Sequence, residues 1–350
     1  MSAAMGARPY VDARDRGGAA QPMLIARALQ RHFRVKGAGK GAVVRAVDGV
    51  SFTLFKGETL GVVGESGCGK STLARLLLHL VTPDSGELVF DGDTVGETSG
   101  ISIADLRRQV QMVFQDSHSS LNPRMPVQDS VAFGPMVNGR TKPESRRIAQ
   151  DILVKVGLRP DLFGPRYPHE LSGGQKQRVN IARALAVGPR MVILDEAVSA
   201  LDKSVEAQVL NLLRQLKRTL NLTYLFISHD LNVVRYISDR VLVMYLGQVV
   251  ELGPAAAVFS GARHPYTQAL LGSRLSMDPT RRIDAPPLIG DPPSPINPPS
   301  GCRFRTRCPH AEAVCEAKMP TLGHWENRSS HVAACHMTDP ASGHSLARAA

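Results

Sequence analysis

Gly64-Glu65-Ser66-Gly67-Cys68-Gly69-Lys70-Ser71-Thr72 follows directly on the apolar run TLGVV of residues 59–63 and leads into TLARLLLHL. A chain that leaves a buried strand through glycines exposes backbone N–H groups. Glycine also lets the backbone take positive φ and approach a ligand closely. The pattern is G-x-x-x-x-G-K-[ST] with a strand before it and a helix after it, the context in which such a loop cradles phosphates. Successive N–H groups and the positive end of the following helix make a concave anion site. Lys70 is then placed to reach β/γ-phosphates, and the Ser71 hydroxyl to bind Mg²⁺. Cys68 is a small spacer in this reading. The expected fold class is α/β, a P-loop NTPase.

The rest of the chain is consistent with that core. At 350 residues it exceeds one ordinary domain, so a main domain plus an extension is expected. No run of apolar residues is long enough to span a bilayer. The N-terminal MSAAMGARPYVDARDRGG lacks the apolar core of a secretion signal, which leads to the expectation of a cytoplasmic protein. The formal net charge of +11 suits nucleic acid, an anionic membrane surface or phosphorylated ligands, and equally a solvated surface. Residues 1–21 read as a flexible arm. From 22 to 260, apolar strands (LGVV, MVIL, YLFI, VLVM) alternate with amphipathic helices, which predicts a largely parallel sheet covered by helices. Asp202 is a candidate N-cap of the helix SVEAQVLNLLRQLKR, whose Val205, Val209, Leu212, Leu213 and Leu216 recur at helical spacing. The stretch 118–187 has little strand signal and reads as an inserted helical subdomain, with Ile148, Ile152, Leu153 and Val156 on one helix face. After 275 the sequence is Pro-rich, a linker or wrapping arm. Residues 261–337 form a C-terminal, Cys-containing extension, and 338–350 a disordered tail.

MVILDE ends an apolar strand with two acids. Asp195 fits an acid that holds Mg²⁺ through water, and Glu196 is placed to polarise an attacking water. Farther upstream, LSGGQ opens a predicted helix at Ser172-Gly173-Gly174-Gln175, a second anion site by the same N–H and dipole argument. One small NTPase domain has little use for two such sites. With these motifs in this order, residues 22–260 resemble the ATP-binding cassette (ABC) ATPases, whose signature LSGGQ is intact.

The resemblance implies further roles. Gln115 in VFQD is similar to the glutamine that contacts Mg²⁺ and the water, Ser199-Ala200-Leu201-Asp202 to the loop that follows the catalytic acid, and His229 in FISHD to the histidine that holds the γ-phosphate. Phe33 in RHFRV resembles the aromatic that stacks on adenine, with a packed strand residue as the rival reading. Gly64 through Thr72, Glu65 and Ser66 included, would line the bound ATP. The family commonly has Pro after the catalytic Glu; Ala197 stands there instead, and because both acids are kept, hydrolysis is expected to be retained. The implied machine is a head-to-tail pair of cassettes with two ATPs between them, Ser172, Gly173, Gly174 and Gln175 of one chain meeting the γ-phosphate held by the other.

ARHPYTQALL (262–271) and PPSGCRFRTRCPHAEAVC (298–315) closely resemble the C-terminal extension of dipeptide/oligopeptide importer ATPases. GESGCGKSTLAR and SLNPRM lean toward the second (F-type) of the two ATPase subunits. The partners implied are a second ATPase subunit in a heterodimer, two transmembrane permeases and, indirectly, an extracytoplasmic solute-binding protein, with the chain peripheral on the cytoplasmic face of the bacterial inner membrane. Importers of this branch also take nickel chelates, glutathione and oligosaccharides. A soluble ABC ATPase acting on nucleic acid is the rival from another class; the tail argues against it, and no nucleic-acid partner is expected. Cys302, Cys308, Cys315 and Cys335 are spaced too widely for an ordinary zinc site, and a reducing cytoplasm disfavours disulfides. Four thiolates are able to bind an iron–sulfur cluster, and the resemblance implies a [4Fe–4S] centre in some such ATPases; zinc and free thiols stay open beside it.

Overall fold

The computed structural model describes residues 21–35, 37, 42–116, 119–273 and 290–347. The N-terminal arm and the Pro-rich segment before residue 290 lie outside them, apart from Gln21. Numbered along the chain, the strands are β1 (Pro22–Arg34), β2 (Val43–Phe55), β3 (Thr59–Val63), β4 (Ser85–Phe90), β5 (Asp93–Thr94), β6 (Val110–Val113), β7 (Met191–Asp195), β8 (Thr223–Ile227), β9 (Arg240–Tyr245), β10 (Gln248–Pro254) and β11 (Val332–Ala333). The chain divides into two compact units. One comprises residues 1–23, 55–57 and 91–224, the other 24–54, 58–90 and 225–350.

In the second unit, β3 pairs in parallel with β9, Leu60 opposite Arg240 through Val63 opposite Val243. Every residue of both strands is buried. That is why, after Thr59 and Arg240, they read as continuous apolar runs rather than alternating ones: a parallel strand is covered on both faces. The expectation of a largely parallel sheet holds here and fails at the edge. There β9–β10 and β10–β11 are antiparallel, the second pair joining Glu251 to Ala333 and Leu252 to Val332. A separate sheet runs β2-β1-β4-β5, its β1–β4 pair antiparallel with Leu24 opposite Phe90 and Ala26 opposite Leu88. The phosphate-loop helix Lys70–Leu77 buries Leu73, Ala74, Leu76 and Leu77.

In the first unit, β6 and β7 pair in parallel, Val110 opposite Met191 through Val113 opposite Leu194. Between them lie the helices Val127–Val137, Lys142–Lys155, Pro160–Phe163 and Gly173–Ala186, with no strand among the described residues of that stretch. Thr141 and Glu144 form a reciprocal capping box at the start of Lys142–Lys155, each satisfying an amide that the first helical turn leaves unpaired. The buried face of this helix carries Ser145, Ala149, Ile152 and Leu153, with Val156 buried just past its end; Ile148 is only half-buried. Asp202 caps Lys203–Thr219 as expected, accepting from the amides of Ser204 and Val205 at 3.1 and 3.0 Å. Among the described residues, no helix is long and apolar enough to cross a membrane.

Within residues 338–347, expected as disordered tail, most side chains are exposed and one is anchored. His344 is buried, with its Nε2 2.9 Å from the His310 carbonyl, and the Ser345 amide donates to Glu312 at 3.0 Å.

Candidate functional site

The phosphate loop belongs to the second unit. Gly64 and Gly69 have φ of 152° and 107°, and a Cβ at either would run into a carbonyl oxygen, of Met244 and Ala46 respectively. Only glycine fits both the conformation and the space. Lys70 is 6% exposed, and its ammonium donates to the carbonyls of Gly64 at 2.8 Å and Glu65 at 2.9 Å. The lysine therefore arches back over its own loop, holding it curled and keeping a positive charge inside the curl. Cys68 is buried with its Sγ 3.7 Å from that ammonium. Burial pushes its thiol above the ordinary value, against the pull of Lys70, so it stays a neutral spacer. A left-handed glycine loop closed by a buried cation fits a polyphosphate.

Glu65, expected to line the nucleotide, is otherwise engaged. Its amide donates to the Tyr266 hydroxyl at 2.9 Å, and its carboxylate takes two hydrogen bonds from Arg307, at 2.8 and 3.1 Å. Neither Tyr266 nor Arg307 received a role from sequence, although both sit in the two quoted tail segments. Their spacing of 201 and 242 residues from Glu65 left no local signal. Phe33 is 36% exposed, with the Arg31 guanidinium 4.9 Å from its ring centroid; it is a surface aromatic and not a packed core residue. His229 is exposed at the end of β8, where Ser228 and Asp230 form a turn ahead of the helix Leu231–Ile237.

The acids and the signature belong to the first unit. Asp195 ends β7 at 4% exposure. Glu196 follows with φ 48°, a left-handed conformation that costs a non-glycine residue roughly 1–3 kcal/mol. Its carboxylate accepts a hydrogen bond from Gln115 Nε2 at 2.9 Å, so the structure brings together two of the residues singled out for handling water. Ser199 Oγ donates to the Glu196 carbonyl at 3.0 Å, tying down the loop behind the acid. Of the proposed Mg²⁺ ligands, Ser71 is in the second unit and Gln115 and Asp195 in the first.

Ser172 is exposed and caps the helix Gly173–Ala186: Gln175 Oε1 accepts from the Ser172 amide at 3.0 Å, and Ser172 Oγ accepts from the Gln175 amide at 3.4 Å. Gly174 is required by space alone, because a Cβ there would collide with Val205 Cγ1.

Cys302, Cys308, Cys315 and Cys335 line one very small void together with His264, His310, His336 and His344. Burial pushes the Cys302 thiol up to about 11 and that of Cys335 up to about 12. Among the described residues, no group of three or more His, Cys, Asp or Glu side chains is disposed to hold a metal ion. The expected iron–sulfur ligand set thus lines one void, and a cluster there is not supported.

Two family models match the chain: "ABC transporter" over residues 47–199 and "Oligopeptide/dipeptide transporter, C-terminal region" over 250–315. The probable peptide ABC transporter ATP-binding protein y4tS of Sinorhizobium fredii is 47% identical over 324 residues, 91% of each chain. The chain belongs to the ABC transporter ATP-binding proteins. The oligopeptide transport ATP-binding protein AppF of Bacillus subtilis is 46% identical over 329 residues, covering 91% of this chain and 98% of the relative. Among solved structures, CbiO1 of Clostridium perfringens, part of an ABC transporter complex, is similar with TM-score 0.60 and 29% identity, over 69% of this chain and 91% of that one. The ATP-binding cassette MJ0796, solved as a dimer in a post-hydrolysis state with ADP and Pi, is similar with TM-score 0.57 and 27% identity, over 67% of this chain and 99% of that one. The ABC ATPase fold expected from the motifs is thus the fold of the chain.

Proposed function

We propose that this chain is the ATP-hydrolysing subunit of a membrane importer for dipeptides or oligopeptides, working as one of two cassettes that close on ATP. The observation that carries the reading is the union, in one chain, of an intact phosphate loop with an extension that matches the oligopeptide/dipeptide transporter C-terminal region. Relatives named as peptide and oligopeptide transport ATP-binding proteins, similar over nine-tenths of the chain, support the substrate class. The name AppF and the GESGCGKSTLAR and SLNPRM segments support the F-type subunit, paired with a different second ATPase. Two permeases supply the pore, a solute receptor delivers the peptide, and the chain sits on the cytoplasmic face of the inner membrane.

In this reading Lys70 and the loop amides hold the phosphates, Ser71, Gln115 and Asp195 hold Mg²⁺, Glu196 polarises the water, His229 holds the γ-phosphate and Phe33 faces the adenine. Bound Mg²⁺ supplies charge neutralisation on the phosphates. Ser172 and the amides of Gly173 and Gly174 serve the partner's nucleotide, for which the exposed Ser172 and the half-buried glycines at a helix N-terminus suit them. ATP favours the closed pair because these contacts exist only there, and hydrolysis releases it. No step runs through an iron–sulfur group.

The test is Glu196→Gln, assayed for MgATP turnover and by size-exclusion chromatography with the partner subunit. Expected are retained ATP binding, a loss of turnover of about 10²-fold or more, and an ATP-dependent dimer. Turnover at the wild-type rate refutes the assignment of the acid. Failure to co-purify with any permease pair refutes the importer.

A further inference from the structure

Glu65 poses an electrostatic problem. It is the second residue of a loop shaped to hold a polyphosphate, and a bare carboxylate there repels the ligand that the loop is built for. The chain answers from its other end. Arg307 grips the carboxylate with two hydrogen bonds, at 2.8 and 3.1 Å, and its own side chain is 5% exposed. This is the planar, two-pronged pairing that a guanidinium makes and an ammonium does not. The Tyr266 hydroxyl accepts the Glu65 amide at 2.9 Å, and the Glu65 carbonyl accepts from Lys70 at 2.9 Å. The carboxylate, amide and carbonyl of Glu65 are thus all committed.

The two clamping residues are themselves fixed. Tyr266 is fully buried, its ring 4.6 Å from that of Tyr245 and 5.4 Å from that of Phe304. The Arg307 guanidinium lies 6.0 Å from the Tyr245 ring centroid, a distance at which a cation and an aromatic face still attract. Its bonds to Glu65 hold it charged more firmly than usual.

We propose that Arg307 is a positioning residue for nucleotide binding: it cancels and aims the Glu65 carboxylate so that the phosphate loop presents net positive charge, with Tyr266 anchoring the loop's entry. The C-terminal extension is in this way a working part of the nucleotide site. The proposal rests on the reading that the loop binds ATP, and it adds that the tail sets the affinity.

The experiment is a charge cycle on the full-length protein, measuring equilibrium binding of MgATP and MgADP and the steady-state KM and kcat. Arg307→Met leaves the carboxylate unpaired and weakens MgATP binding by about tenfold. The loss is larger for MgATP than for MgADP and appears mainly in KM. E65Q alone loses less than R307M, and the double variant E65Q/R307M recovers most of the affinity, because neither charge then stands alone. If R307M does not fold, R307Q and E65Q/R307Q give the same comparison. A double variant as weak as R307M, or a loss equal for both nucleotides, overturns the proposal, since either points to lost packing and not to charge. A wild-type chain that binds no nucleotide overturns the functional reading as well, and so is told apart from failure of the cycle alone.

Discussion

His264 offers a titration whose sign and size follow from its surroundings. It is buried at the start of the helix Pro265–Gly272, where its Nδ1 accepts the Tyr266 amide at 3.0 Å. Its own amide donates to Glu251 at 3.0 Å. An accepting Nδ1 requires the neutral ring. Burial lowers its pKa from 6.5 to about 4, against the opposing pull of the Glu251 carboxylate. Above pH 6.5 both folded and unfolded chains carry it neutral. As pH falls below 6.5 the unfolded chain binds the proton first, so stability is lost progressively until the folded chain also protonates near pH 4. The whole effect is about 3 kcal/mol, of which about 2 kcal/mol is lost by pH 5. His264→Asn keeps an oxygen to accept the Tyr266 amide, since Asn is a favoured N-cap, and removes the titration. Urea unfolding at pH 7, 6, 5 and 4.5, followed by the fluorescence of Trp325, the one tryptophan of the sequence, gives both curves. The wild-type protein loses stability relative to the variant between pH 6.5 and 4. Parallel curves refute the buried neutral histidine.

Two glycine substitutions separate conformational from steric need. Gly69→Ala places a Cβ at φ 107° against the Ala46 carbonyl, and MgATP affinity drops by at least tenfold, the equivalent of roughly 1–3 kcal/mol of backbone strain; no neighbouring substitution restores it in a binding titration. Gly174→Ala collides only with a methyl of Val205, so it destabilises the chain by about 1–3 kcal/mol, and G174A/V205A regains most of that in the urea midpoint. A Gly174→Ala loss that Val205→Ala leaves untouched refutes the steric account.

Much of the fold is legible in the sequence. The apolar runs LGVV, MVIL, YLFI and VLVM mark β3, β7, β8 and β9 because each strand is buried along its length, and the Asp202 cap is visible because a carboxylate before an amphipathic run has few other tasks. The burial of Ser145 and Ala149 beside a half-buried Ile148 was not legible: periodicity reports a stripe of large apolar residues and is blind to small ones on the buried face. The antiparallel edge escaped for a related reason. Antiparallel edge strands such as β10 and β11 owe their pairing to partners chosen by the tertiary fold, Glu251 to Ala333 among them, and not to their own pattern. Glu65 was legible as a loop residue, while the groups that engage it come from more than 200 residues away and left no local signal.

Ala197 was the one departure from the family's habit that put turnover in question, and its setting argues for retention. A proline at 197 steers the residue before it toward extended backbone. Glu196 instead takes φ 48°, a conformation that an alanine after it leaves open. The strain is held in place on both sides, by Ser199 bonding the Glu196 carbonyl and by Gln115 bonding its carboxylate. Ala197 itself is buried, at 4% exposure, and Val198 at 2%, so the small side chain is packed and the turn is not free to relax. The acid is therefore presented by backbone strain and two hydrogen bonds, not by a proline ring. In the proposed reading, hydrolysis at this position uses a carboxylate with a fixed direction and a glutamine beside it, and both are present beside Ala197.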